Sequence, residues 1–101
     1  MPNFEWDDNK NETNKRKHRV SFEESAEIFE DKDAIEFLGN KESKVRFLRI
    51  GKTFEKIVLA VVYTLRTTII RIISARQANR EEINTYIEYK LTKSKKDEDA
   101  N

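Results

Sequence analysis

The stretch from Ile57 to Leu65 constrains the fold more than any other part of the chain. Read as a strand, it places Ile57, Leu59, Val61, Tyr63 and Leu65 on one face and Val58, Ala60, Val62 and Thr64 on the other. Both faces are apolar, so a central strand is predicted, covered at least in part on each side. Such a strand needs partners, and Val45–Ile50 and Ile69–Ala75 supply them, being rich in β-branched and aromatic residues. The links at 51–56 and 66–68 are short, which favours antiparallel hairpins over crossovers. Arg66-Thr67-Thr68 contains neither Gly nor Asn, so a loop wider than a tight turn is expected there. Ala34–Leu38 reads as a further short strand ended by the turn pair Gly39-Asn40, and Phe4-Glu5-Trp6 as an edge strand.

Helices account for the rest. Ser21 and Glu24 form the two halves of a capping box, and Phe22, Ala26 and Phe29 follow at i, i+4, i+7, predicting a helix over 22–31. Asn79 and Glu82 repeat the capping signal, with Ala78 and Ile83 placed as a hydrophobic staple. Ile83, Tyr86, Ile87 and Leu91 then give one apolar stripe. Asp8–His18 is polar almost throughout, so any helix there has no core face of its own and must hang on its neighbours. The order is strand, two helices, about four antiparallel strands and one helix. The expected class is α+β, an antiparallel sheet of four to five strands packed with two N-terminal helices and one C-terminal helix. At 101 residues, with 39% of them charged, the chain holds one modest core: a single domain over 1–91 and a disordered charged tail over 92–101 are expected.

The composition removes several chemistries. There is no cysteine and one histidine, His18, so disulfides, thiolate catalysis and cysteine-based or histidine-rich metal sites are excluded. With only Gly39 and Gly51, no glycine-rich phosphate loop exists. No apolar run approaches the ~20 residues of a membrane span, and the N-terminal residues carry no secretory signature. A cytoplasmic protein without metal, cofactor or membrane attachment is the expectation.

The net charge of +1 conceals a strong segregation. Segments 1–9 and 22–33 are acidic, whereas 10–20 and 41–76 are basic, the last with nine bases against Glu42 and Glu55. A basic surface confined to one part of a fold binds polyanions. The candidate bases are Lys10, Lys17, His18, Arg46, Arg49, Arg71 and Arg76. Strand parity sets Arg71 on the face of Ile69 and Ile73, and Arg76 on the opposite face with Ile72 and Ser74. Each base also has a purely structural reading. Arg71 can pair with a carboxylate of the acidic helix, Arg76 can bond nearby carbonyls, and His18 suits the negative end of a helix dipole. An RNA-binding sheet would need exposed aromatics on its face for bases to stack on, and Phe47 and Tyr63, the only candidates the sequence reading offers for such a face, are better explained as core.

The ordered run Phe4-Glu5-Trp6-Asp7, Lys10, Asn14, Lys17-His18 and Ser21-Phe22-Glu23-Glu24 resembles the start of the BrnT toxin family. Val61-Val62-Tyr63-Thr64, then Ile70-Arg71-Ile72-Ile73-Ser74-Ala75-Arg76, then Ala78, Glu82 and Tyr86 resemble its second half. The resemblance implies a RelE-like fold and a type II toxin that cleaves RNA without a metal, through attack of a ribose 2′-hydroxyl on the adjacent phosphate. It also implies a BrnA-like antitoxin that itself binds DNA, with a homodimer or a toxin–antitoxin heterotetramer both open. By position it casts His18 as the acid–base group, a side chain type that changes charge near neutrality. Lys10, Arg46 and Arg76 become the phosphate and transition-state cations, with Arg71, Lys17 and Arg49 as further RNA contacts. A catalytically degenerate module that holds its antitoxin without cutting RNA is the alternative. The sequence departs from the family pattern at Arg19, where glycine is usual, and at Thr67-Thr68, which replace a glycine-bearing turn. It departs again beside Arg46, whose neighbours are Lys44 and Val45 and whose nearest acid is Glu42.

Overall fold

In the computed structural model, which describes residues 2–41 and 44–99, the chain forms a five-stranded sheet with three α-helices. The elements in chain order are β1 (Asn3–Glu5), α1 (Asp8–His18), α2 (Phe22–Ala26), β2 (Ile35–Lys41), β3 (Lys44–Lys52), β4 (Val58–Arg66), β5 (Ile69–Gln77) and α3 (Arg80–Asp99). The strand order is β1-β5-β4-β3-β2, so the doubly apolar β4 lies at the centre as expected. Strands β2 to β5 are antiparallel neighbours, but β1 pairs with β5 in parallel, making the sheet mixed rather than antiparallel. No hairpin joins β1 to β5, so nothing in the chain's local geometry dictates their relative direction.

The two sheet faces are packed differently. On the inner face Val61, Leu59, Tyr63, Ile70, Ile72 and Ala75 meet Val20, Phe22 and Ile28 in one core cluster, with Phe4, Trp6, Phe29 and Phe47 against it. On the outer face a smaller cluster of Ile35, Ile50, Ala60 and Tyr86 seats α3 over one end of the sheet. The other end of that face is uncovered. Gly51 sits where β3 passes under Ile28 and Ala34: a Cβ there would come within 3.1 Å of both their Cβ atoms, so this close approach needs glycine.

Several sequence expectations are corrected. The helix expected over 22–31 is α2 followed by a single 3₁₀ turn, Glu27–Glu30, which tightens the chain so that Ile28 is fully buried. Gly39 and Asn40 are strand residues of β2, paired with Arg46 and Val45, and not a turn. Residues 42–43, between β2 and β3, lie outside the described residues. Arg66 pairs with Ile69, so Thr67-Thr68 is a tight two-residue link, made possible by Thr67 taking φ 57°. Helix α3 continues through Asp99 where a disordered tail is expected; Thr92 bonds back to the Glu88 carbonyl and Lys93 Nζ reaches the Lys32 carbonyl at 3.0 Å. Of the stripe expected on α3, Tyr86 is buried, but Ile87 and Leu91 are exposed. Among the described residues no helix is long and apolar enough to cross a membrane.

Candidate nucleic-acid interface and active site

Polar helix α1 is fixed by two buried asparagines rather than by apolar contacts. Asn14 stands beside β5 beyond the reach of the short β1 and bonds both polar groups of Ala75, accepting from its N–H at 3.2 Å and donating to its carbonyl at 2.8 Å. It also donates to the Val20 carbonyl. Asn11 accepts from the Phe22 N–H and donates to Glu23, holding that carboxyl below its usual range. A side-chain amide thus completes the hydrogen bonding that a longer β1 would have supplied. With α1 held in this way, Lys10 near its start lines the outer face.

Strand β5 carries the second determinant. Val62 pairs with Ser74 and Tyr63 with Ile72, so a bulge at Ile73 breaks the alternation. Arg71 and Arg76, assigned by parity to opposite faces, therefore share the outer face, opposite Thr64 and Ala60 respectively. At the uncovered end of that face, Lys10, Lys44, Arg46, Arg66 and Arg71 line a groove of about 520 Å³ together with Thr64 and Ile73. Thr64 ties the groove's wall together by donating to the Val45 carbonyl. Among the described residues one carboxylate stands behind this cluster. Glu5 lies beside Arg71 in the β1–β5 register, and its Oε1 is 3.6 Å from both Arg66 Nε and Arg71 NH1. That oxygen is buried and accepts no hydrogen bond. Among the described residues, five cations against this carboxylate make the groove strongly positive, suited to a phosphate chain.

The candidates named from sequence divide into four groups. Lys10, Arg46 and Arg71 converge on the groove. Arg76 shares their face but lies about 15 Å from Arg71 along β5, locked in a bidentate pair with Glu82 at 2.7 and 3.0 Å. Arg76 holds the Glu82 carboxyl below its usual range against the opposing effect of burial. His18 and the exposed Lys17 occupy the far end of α1, His18 about 12 Å along the helix from Lys10. Among the described residues His18 makes no side-chain hydrogen bond or ion pair, and it does not line the groove. Arg49 is on the inner face, 5.1 Å above the Phe29 ring and 3.5 Å from Glu36, which also accepts the Tyr63 hydroxyl. Burial first, then Glu36, pushes the Tyr63 phenol above its ordinary range. His18, Arg46 and Arg76, the catalytic set that the resemblance implies, therefore do not meet in one pocket. Sequence reasoning also missed Glu5, Lys44 and Arg66 as members of the site. Glu5 alone left a signal, since it alternates with Phe4 and Trp6 and so faces away from the core they join.

Comparisons with known proteins bear on the family and the fold. Among curated proteins none matches the chain. A solved structure, the 1.1 Å crystal structure of the Brucella abortus ribonuclease toxin BrnT, superposes with a TM-score of 0.62 at 25% identity, covering 79% of this chain and all of that one. The family model described as the ribonuclease toxin BrnT of type II toxin–antitoxin systems matches residues 6–82. That span runs from the residue after Glu5 through α1 and the whole of β2–β5 to Glu82. The chain belongs to the BrnT family of ribonuclease toxins, whose systems pair each toxin with an antitoxin.

Proposed function

We infer that this chain is a metal-independent endoribonuclease that draws single-stranded RNA through the outer-face groove, and that a BrnA-like antitoxin neutralises it. The observation that carries the reading is the convergence of Lys10, Arg46 and Arg71 with Lys44 and Arg66 on one open face. Cleavage forms a bond from the ribose 2′-oxygen to phosphorus and breaks the bond to the 5′-oxygen, leaving a 2′,3′-cyclic phosphate and a 5′-hydroxyl. The proton of the 2′-hydroxyl passes to a base, and the departing oxygen takes a proton from an acid. Charge accumulates on the phosphoryl oxygens, where fixed guanidinium groups stabilise the transition state more than the ground state. Arg46 and Arg71 are assigned this role, with Lys10 and Lys44 holding flanking phosphates. Glu5 is a positioning residue that holds the Arg66 and Arg71 guanidiniums toward the groove. His18 is retained as the acid–base group on the family resemblance. The architecture is read as RelE-like and the protein as cytoplasmic, with DNA reached only through the antitoxin. Residues 1–91 are proposed to suffice for the activity, with the 92–101 segment dispensable.

Two observations favour the second reading, a degenerate module that holds its antitoxin without cutting: His18 lies outside the groove, and Arg76 is tied to Glu82. Incubating the antitoxin-free protein with a long RNA in EDTA separates the two. Fragments ending in 2′,3′-cyclic phosphate, lost in Arg46→Ala and reduced in His18→Ala, are expected. Intact RNA from folded protein would establish the binding module instead. Cleavage that survives His18→Ala unchanged would remove the histidine from the mechanism.

A further inference from the structure

We propose that the hollow adjoining the groove is a nucleobase subsite in which Phe37 is the stacking platform, a reading that rests on RNA occupying the groove. The hollow measures about 300 Å³, and Arg46 lines both it and the groove, so the two are continuous. Its floor is a cross-strand row, Phe37 on β2 beside Leu48 on β3 beside Val62 on β4. Unlike Phe47 and Tyr63, which stack on each other in the inner core, Phe37 is 46% exposed, so much of its ring is open to a ligand. An aromatic of this size on an edge strand has no partner to pack against on its open side, yet it adjoins a cation rather than bulk solvent alone.

The chemistry around the ring selects the ligand. A flat apolar floor with a guanidinium at one rim fits a planar, weakly polar ring joined to an anion, which describes a nucleotide. Leu48 and Arg46 are two residues apart on β3, about 7 Å, so a base over the floor leaves its phosphate beside Arg46. Gly39 is the cross-strand partner of Arg46, and a Cβ there would meet nothing nearer than 3.9 Å; with no side chain, it keeps the passage from hollow to groove clear. On the other side of Phe37, Glu81 and Glu82 line the approach from α3. Arg76 already balances Glu82, but Glu81 repels phosphates and this lining carries no cation to attract them, so the strand leads from the hollow toward Arg46 and Arg71 and not along α3.

The test uses the full-length, antitoxin-free protein and two fluorescent probes that cannot be cleaved. One is a short 2′-O-methyl oligoribonucleotide of mixed sequence, and the other is its abasic counterpart with the same number of phosphates. Wild type is expected to bind the base-bearing probe roughly 5- to 100-fold more tightly than the abasic one. Phe37→Leu, which preserves an apolar strand residue, is expected to abolish that preference without changing abasic affinity, while Phe37→Trp retains it. A preference that survives Phe37→Leu overturns the proposal. So does equal binding of both probes by wild type, an outcome that leaves the groove reading standing. Failure of wild type to bind either probe removes the groove reading and the subsite together. If Phe37→Leu leaves both probes unaffected but weakens the complex with the purified antitoxin, the hollow belongs to a protein partner and the proposal falls.

Discussion

Three single residues carry costs or debts that the rest of the chain offsets. Arg19 ends α1 in the left-handed conformation at φ 57° and ψ 32°, its N–H bonded to the Lys15 carbonyl. Thr67, β-branched, takes φ 57° in the β4–β5 link. A side chain in this region costs roughly 1 kcal/mol or more, so Arg19→Gly and Thr67→Gly should each raise the thermal midpoint, by about 4–8 °C per kcal/mol in a domain of this size. A lowered midpoint in either variant would mean that the side chain makes a compensating contact. Asn14 is the reverse case. Asn14→Ala strips partners from the Ala75 N–H, the Ala75 carbonyl and the Val20 carbonyl. Losing these buried bonds should cost roughly 2–4 kcal/mol in a denaturant titration. The conflict at Arg19 was readable from sequence, because the resemblance puts glycine there. The importance of Asn14 was not, because one amide bonding to a strand 61 residues away leaves no periodic trace.

At the level of elements, legibility follows how local the cause is. Both capping boxes formed as their spacing implies: Ser21 with Glu24, and Asn79 with Glu82. Strand β4 is central because its own side chains demand it. The bulge in β5 is different. Ile70-Arg71-Ile72-Ile73 reads as unbroken alternation, and only pairing with β4 shows that Ile73 is the extra residue. That one residue moves Arg71 and Arg76 to a common face, so the site was legible as a set of bases but not as a place. The acid stability of the molecule also belongs at this scale. Asp31 joins three elements, accepting from the Asp33 N–H, the Lys52 N–H on β3 and the Tyr86 hydroxyl on α3. Burial alone would raise its carboxyl, but these donors hold it below the usual range. Glu82 is held low by Arg76 and by the Asn79 N–H. Because both folded-state values are depressed, their contribution is complete above about pH 5, clear of the ordinary carboxyl values, and is lost as pH falls through the folded values. Thermal midpoints should therefore fall below about pH 5, and less steeply in Asp31→Asn and Glu82→Gln. An identical slope in wild type and variants would assign acid unfolding to other groups.

For the whole molecule, the charge blocks seen along the sequence become surfaces only after folding. Lys10 comes from the first basic block, and Lys44, Arg46, Arg66 and Arg71 from the last, yet all five meet at one groove. If each neutralises a phosphate of a single strand, log affinity should fall against log salt with a slope of about −3.5, and Arg46→Ala should reduce its magnitude by about 0.7. A slope near zero would show that the groove does not hold a phosphate chain. The molecule is also elongated, 48 Å along its long axis against 28 and 27 Å across it, and the 20-residue α3 spans about 30 Å. Residues 91–95 of α3 are exposed. A chain ending at Leu91 should accordingly keep the midpoint of the full chain, whereas a large drop would give the last turns a structural role.

The pairing of β1 and α1 with β5 has a consequence for how the molecule is made. Glu5 and Asn14 leave the ribosome early, but their partners Arg71 and Ala75 are among the last residues of the sheet. At 5–20 residues per second, the N-terminal segment waits roughly 3–13 s for the strand that gives it a place to dock. During that interval the groove does not exist, since neither Lys10 nor Glu5 can stand beside Arg71. Assembly of the basic groove is thereby deferred until β5 has emerged and can receive β1 and α1. Nascent chains stalled before Ile69 should accordingly show an N-terminal segment open to protease, and those stalled after the last strand has emerged should show it closed.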